Sequence, residues 1–97
     1  MVRHIFIWSV KDGHDGDAVF ADLASLADKV PGLVNWTIGK HEGQDPHAST
    51  GTWQYGLTCD FETWDDLAAY QDHPEHNAIV DRVMASYLDW AVVDYVL

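Results

Sequence analysis

Val2-Arg3-His4-Ile5-Phe6-Ile7-Trp8-Ser9-Val10 is apolar on both of its alternating faces, and that property decides the fold. Phe6 and Trp8 share a parity with His4, while Ile5 and Ile7 take the other. The run is rich in β-branched and aromatic residues, short for a helix and stopped by the turn signal Asp12-Gly13, so a strand is predicted. The closing stretch Trp90-Ala91-Val92-Val93-Asp94-Tyr95-Val96 has the same character, with Trp90 and Val92 opposed by Ala91, Val93 and Tyr95. An antiparallel strand with one face in water alternates cleanly between apolar and polar residues. These two strands do not, so each is expected to have both faces covered.

Between them the periodicity changes several times. Val19, Phe20, Leu23, Leu26, Ala27 and Val30 recur at helical spacing, with Asp15 or Asp17 available as a cap and Pro31-Gly32 as a stop, which predicts a helix over 17–30. Residues 33–40 alternate as a half-buried strand, with Val34, Trp36 and Ile38 on one parity. The polar segment 41–52 is predicted as a surface connection and the most mobile part of the chain. Residues 53–61 return to alternation, with Trp53, Tyr55, Leu57, Cys59 and Phe61 sharing the apolar side. Thr63 then caps a short helix that carries Trp64, Leu67, Ala68 and Tyr70 and ends before Pro74. A longer helix starts there, with His76, Ile79, Val80, Val83, Met84 and Tyr87 as one stripe, and residues 90–96 close the chain as a strand.

The order β-α-β-β-α-β, with the second helix split, describes an α+β ferredoxin-like sandwich whose helices cover one face of an antiparallel sheet. At 97 residues the chain is expected to be one domain spanning 1–97. In the ferredoxin-like order the first and last strands are neighbours, and their second faces merge into an exposed apolar patch of a kind monomers rarely show. A homodimer with two sheets packed face to face, a dimeric α/β barrel, follows as the expectation.

Charge narrows the partners. Sixteen acidic residues against five basic ones give a net charge of −11, which opposes contact with nucleic acid, anionic membranes and polyanionic substrates. The single cysteine, Cys59, rules out an intrachain disulfide and fits a reducing compartment. The opening Met1-Val2-Arg3-His4 leads directly into a strand without a secretory pattern, and no apolar run approaches membrane-spanning length. A cytoplasmic protein is expected.

Proton-transfer chemistry gathers in Tyr70-Gln71-Asp72-His73-Pro74-Glu75-His76. Pro74 suits the first helical position, where its missing N–H removes no bond, and this places His76 in the first turn. The partial positive charge at a helix N-terminus favours a neutral imidazole with a free lone pair. Removing an acidic α-proton from a carbonyl compound needs one such base, and the enolate or alkoxide that forms needs one hydrogen-bond donor. His76 is the candidate base and Tyr70 the candidate donor, while His4 is placed to orient His76 or bind a substrate carbonyl. No cofactor and no metal are expected. His73 with His76, or His41, Glu42, Asp45 and His47 in the polar segment, lack a recognisable ligand spacing.

End to end, the chain resembles the stress-responsive A/B barrel, or Dabb, family of dimeric α/β barrels. The resemblance is carried by Arg3-His4, the Pro31-Gly32 turn, Phe61-Glu62-Thr63, His73-Pro74-Glu75-His76 and the closing Val93-Asp94-Tyr95. It implies a dimeric fold and, from plant polyketide cyclases of the olivetolic acid cyclase type, an aldol cyclisation of an apolar poly-carbonyl substrate. Their catalytic tyrosine and second motif histidine match Tyr70 and His76, and a first-strand histidine matches His4. The bulky Phe6 and Trp8 depart from those enzymes, so the substrate does not carry over.

Phe6, Trp8, Phe20, Leu57, Cys59, Tyr87 and Trp90 are the candidate substrate-binding wall, although core packing accounts for the same apolar positions. Cys59 reads as a small buried hydrophobe rather than a nucleophile. Tyr70 and His76 also have structural readings, as a rim aromatic and a satisfied core histidine, and His73 suits bracing of the turn before Pro74. Two functions therefore remain open. One is a cofactor-independent enzyme acting on an apolar, carbonyl-bearing metabolite. The other is a non-enzymatic carrier or stress-related dimer. The enzyme requires a cavity of at least a few hundred Å³ with His76 and Tyr70 facing it.

Overall fold

The computed structural model describes residues 1–44, 46 and 53–97. The expected mobility of segment 41–52 and the ligand candidates Asp45 and His47 fall wholly or mostly outside the described residues.

Four strands, β1 (Val2–Val10), β2 (Asn35–Lys40), β3 (Tyr55–Phe61) and β4 (Tyr87–Val96), form one antiparallel sheet in the order β2-β3-β1-β4. One face carries helices α1 (Gly16–Ala24), α2 (Leu26–Lys29), α3 (Trp64–Asp72) and α4 (Pro74–Val83). This is the ferredoxin-like α+β arrangement, with the first and last strands side by side.

Local chemistry explains the boundaries. The Asp15 carboxylate accepts from the Ala18 N–H at 3.0 Å and the Thr63 hydroxyl accepts from the Asp66 N–H at 3.1 Å, each satisfying a donor that the first helical turn leaves free. Gly32 follows α2 with a φ of +93°, a conformation that disfavours any residue with a Cβ. The helix expected over 17–30 is divided at Ser25, whose hydroxyl donates to the Asp22 carbonyl at 2.6 Å. The stripe from His76 also stops short of its expected end. Helix α4 finishes at Val83, a 3-10 turn covers Met84–Ser86, and Tyr87 opens β4. Tyr87 is buried because it pairs with Val10 across β1 and β4, beyond a register shift at Ser9/Val10.

The register assigns the faces. His4, Phe6 and Trp8 sit opposite Cys59, Leu57 and Tyr55 on β3, and opposite Asp94, Val92 and Trp90 on β4. This set faces the helices, with Leu23, Leu26, Leu67, Ile79 and Val83 packed over it. Leu26 and Ile79 are each 1% exposed, and full burial of such a side chain contributes about 1.5–3 kcal/mol. The other face has no helix over it among the described residues. Ile5 lies beside Val93 and Ile7 beside Ala91, and Val93 and Tyr95 are 58% and 40% exposed. At one end of that face a polar rung crosses all four strands through Asn35, Asp60, Arg3 and Tyr95. Asp60 is fully buried there. It accepts two bonds from the Arg3 guanidinium, at 2.8 and 3.0 Å, and one from the Asn35 amide at 2.8 Å.

Candidate active site

The helical layer stops short of β4, and an apolar cavity of about 170 Å³ remains between the two. Leu23 and Leu26 of the first two helices and Val80 of α4 form its roof, with Phe6 and Leu57 of the sheet as its floor. Its mouth lies between β4, where Trp90 and Val92 are 49% and 47% exposed, and the 3-10 turn, where Met84 is 43% exposed.

Four titratable side chains line this space, with Tyr87 of β4 beside Phe6 and three more from three other elements. Helix α3 brings Tyr70, helix α4 brings His76 and strand β1 brings His4. The junction between α3 and α4 sets the first two. His73 is extended, as a residue before proline must be, and its Nδ1 accepts from the Glu75 N–H at 3.1 Å. His73 thus braces the turn, Pro74 takes the first helical position, and His76 falls in the first turn of α4. The Tyr70 and His76 rings lie 4.7 Å apart between centroids, and Tyr70 and His4 lie 6.2 Å apart. Phe61 also packs against Tyr70, at 5.2 Å.

The two histidines have different surroundings. His4 Nδ1 lies 2.6 Å from the Asp94 carboxylate, its neighbour on β4. A carboxylate partner fixes the imidazole proton on Nδ1 and leaves Nε2 as an acceptor when the ring is neutral. His76 has no such anchor, for its Nδ1 is buried without a hydrogen-bond partner among the described residues. Burial also lowers the His76 pKa below the usual 6.5, a shift opposed by the neighbouring Asn77 and Gln71 and reinforced by His4 and His73. His76 is therefore neutral at pH 7. Burial first, and then proximity to Cys59 and Tyr87, raises the Tyr70 pKa, so its phenol keeps its proton. An uncharged base and an uncharged donor stand together at an apolar wall. That pair can remove a proton beside a carbonyl and hydrogen-bond the oxygen that gains charge.

The wall differs in part from the expected set. Phe6, Leu57, Tyr87 and Trp90 line the cavity. Trp8, Phe20 and Cys59 lie off it. Trp8 is fully buried and stacked between Phe6 and Tyr55, Phe20 packs on Tyr55 with Lys40 over its ring, and Cys59 is sealed beneath the helices. The stack fills space that an open site would leave empty, and the cavity is correspondingly smaller than the few hundred Å³ expected for an enzyme of this kind. Periodicity and spacing alone assign Asp94 no part in the site. The signal was the antiparallel pairing of the first and last strands, which sets position 4 opposite position 94.

The stress responsive A/B barrel domain matches residues 2–97. Among solved structures, a dimeric ferredoxin-like protein of unknown function from Thermobifida fusca is 27% identical, with a TM-score of 0.78 over 99% of this chain and 90% of that one. A protein of Arabidopsis thaliana, 22% identical, superposes with a TM-score of 0.85 over 100% of this chain and 95% of its own. Hydroxynitrile lyase from Passiflora edulis is 18% identical and has a TM-score of 0.86 over 99% of this chain and 92% of that one, a likeness of fold. No curated protein sequence matches the chain. The match across nearly the whole sequence and the shared fold agree: this chain belongs to the stress responsive A/B barrel (Dabb) family.

Proposed function

We propose that this protein is a homodimeric, cofactor-independent enzyme that performs acid–base chemistry on a neutral, apolar, carbonyl-bearing small molecule. The observation that carries it is the meeting of Tyr70 and His76, 4.7 Å apart between ring centroids, at an apolar cavity. His76 takes a proton from the carbon beside the substrate carbonyl and becomes an imidazolium. The electron pair moves to the carbonyl oxygen, which the Tyr70 hydroxyl stabilises by donating a hydrogen bond. The enolate carbon attacks a second carbonyl, and the alkoxide formed takes the proton back from His76, closing an aldol cycle with no net loss of atoms. His4, held by Asp94, presents Nε2 to the same space and orients substrate or water.

Assembly as a homodimer is supported by the uncovered strip of Ile5, Ile7, Val93 and Tyr95, and by the dimeric relative from Thermobifida fusca. A second reading, a ligand carrier without turnover, draws on the cavity's 170 Å³, which is below the roughly 300–1,000 Å³ of ordinary ligand pockets. The two separate in one experiment. Purified protein, His76→Ala and Tyr70→Phe are assayed for proton–deuterium exchange at the α-carbon of simple ketones, with assembly followed by light scattering. The enzyme predicts exchange that both substitutions suppress without dissociating the dimer. Absence of exchange by the unsubstituted protein, or equal exchange by all three, leaves the carrier.

A further inference from the structure

The hollow beneath the helices follows β1, and its two ends are built differently. Towards His4 it is the cavity beside Tyr70 and His76. At the Trp8 end it is filled by flat rings in contact: Phe6 on Trp8 at 5.2 Å with 20° between planes, and Trp8 on Tyr55 at 5.3 Å with 15°. Phe20 continues the series beyond Tyr55 at 6.0 Å, and Tyr87 meets Phe6 edge-on at 5.8 Å. Trp8 is 0% exposed, and Tyr55 is backed by Gly16 so closely that a Cβ at Gly16 would collide with the Tyr55 hydroxyl.

Resting on the site proposed above, we infer that the substrate is compact: the part enclosed beside His76 and Tyr70 is a single ring or a branched group of similar bulk. The remaining 170 Å³ is close to the roughly 150 Å³ cavity that accommodates benzene. Any longer portion leaves across Trp90 and Val92 rather than running inward along β1. The net charge of −11 selects a neutral compound over an anionic one. Phe6 and Trp8 are the specificity-determining residues, acting by occupying the space that an extended poly-carbonyl chain would need.

The test reads occupancy, so it does not depend on turnover. Acetophenone and a linear dodecanedione are titrated separately into the intact protein while the His76 imidazole signals are followed by NMR. Acetophenone is expected to shift them saturably, with the dodecanedione at least about tenfold weaker. Phe6→Ala, and separately the milder Trp8→Leu, should shrink that gap by favouring the long probe. Equal or tighter binding of the dodecanedione to the unsubstituted protein overturns the inference, as does acetophenone leaving His76 unmoved. A folded Phe6→Ala or Trp8→Leu variant with the gap unchanged overturns the role given to the stack. Saturable acetophenone binding without α-carbon exchange would sink the catalytic reading while leaving the compact-substrate inference standing.

Discussion

The two faces of the sheet are incomplete in different ways. Under the helices, the missing matter is a volume of about 170 Å³ beside the rings of His4, Tyr70, His76 and Tyr87. On the opposite face it is a surface, with Ile5, Ile7 and Val93 forming an apolar strip next to a closed polar rung of Asn35, Asp60 and Arg3. A small molecule completes the first face and a folded surface completes the second. β1 serves both faces, which is why a strand apolar on either parity was needed. Substitutions on one face should therefore leave the other's property intact.

The largest expected effect is chemical and confined to the inner face. His76→Ala should lower kcat for the true substrate by about 10²–10⁴-fold, the usual contribution of a positioned base, with the mass in solution unchanged. A loss of activity that merely tracks dissociation would merge the two faces into one. The pH profile sharpens the point. Because the His76 pKa is lowered and the Tyr70 pKa raised, activity should rise with pH through a limb below 6.5 and stay level across neutrality. A limb centred above 7 would assign the base to another group.

The outer face is tested by charge. Ile5→Asp with Val93→Asp places two carboxylates in the middle of the apolar strip, where pairing with another surface would have to desolvate them. Sedimentation should show a dimer for the unsubstituted protein and a monomer for the double variant at micromolar concentration. The acetophenone-induced shift at His76 should persist in that monomer. A dimer that survives both charges would place the interface elsewhere.

The outer face was the easier of the two to read from sequence. Strand parity has a period of two residues, so the doubly apolar character of residues 2–10 and 90–96 was visible without coordinates, and with it the neighbouring of the first and last strands. The inner face depends on volumes, which sequence does not carry. Phe6, Trp8, Phe20 and Cys59 share an inward direction, yet only the packing separates Phe6, on the wall, from the other three, behind it. Tyr87 reads as helical from sequence because its spacing from His76 happens to continue the helical period, while its pairing with Val10 is nonlocal. The nearness of Tyr70 and His76 is legible in sequence because Pro74 fixes the helix start, which makes their relative placement a local matter.

A smaller effect is expected from the polar rung. The Arg3 guanidinium, then the Asn35 amide, hold the Asp60 pKa down to about 2 from 3.8. A carboxylate with a depressed folded-state pKa contributes stability that is fully present above its unfolded value and is lost as pH falls towards the folded one. Thermal unfolding of the unsubstituted protein should therefore lose Tm between about pH 4 and pH 2, whereas Asp60→Asn should be less stable at neutral pH and flatter over that window. An equally steep acid limb in both proteins would show that other carboxylates govern it.

The smallest effect concerns Cys59, which separates being beside a cavity from being on its wall. Cys59 pairs with His4 across the sheet, yet it is 0% exposed and lies off the cavity. Desolvation, and then the charges of Asp60 and Asp94, push its pKa up to about 12. The thiolate is the reactive form, so at about pH 8 the native protein should resist iodoacetamide and label only as fast as it unfolds. Cys59→Ala should leave acetophenone binding unchanged and lower stability by about 1 kcal/mol, since a small buried group is removed. Rapid labelling of the native protein that acetophenone blocks would put the thiol on the cavity wall and enlarge the enclosed space towards β3. The aromatic stack would then not be the boundary that limits substrate size.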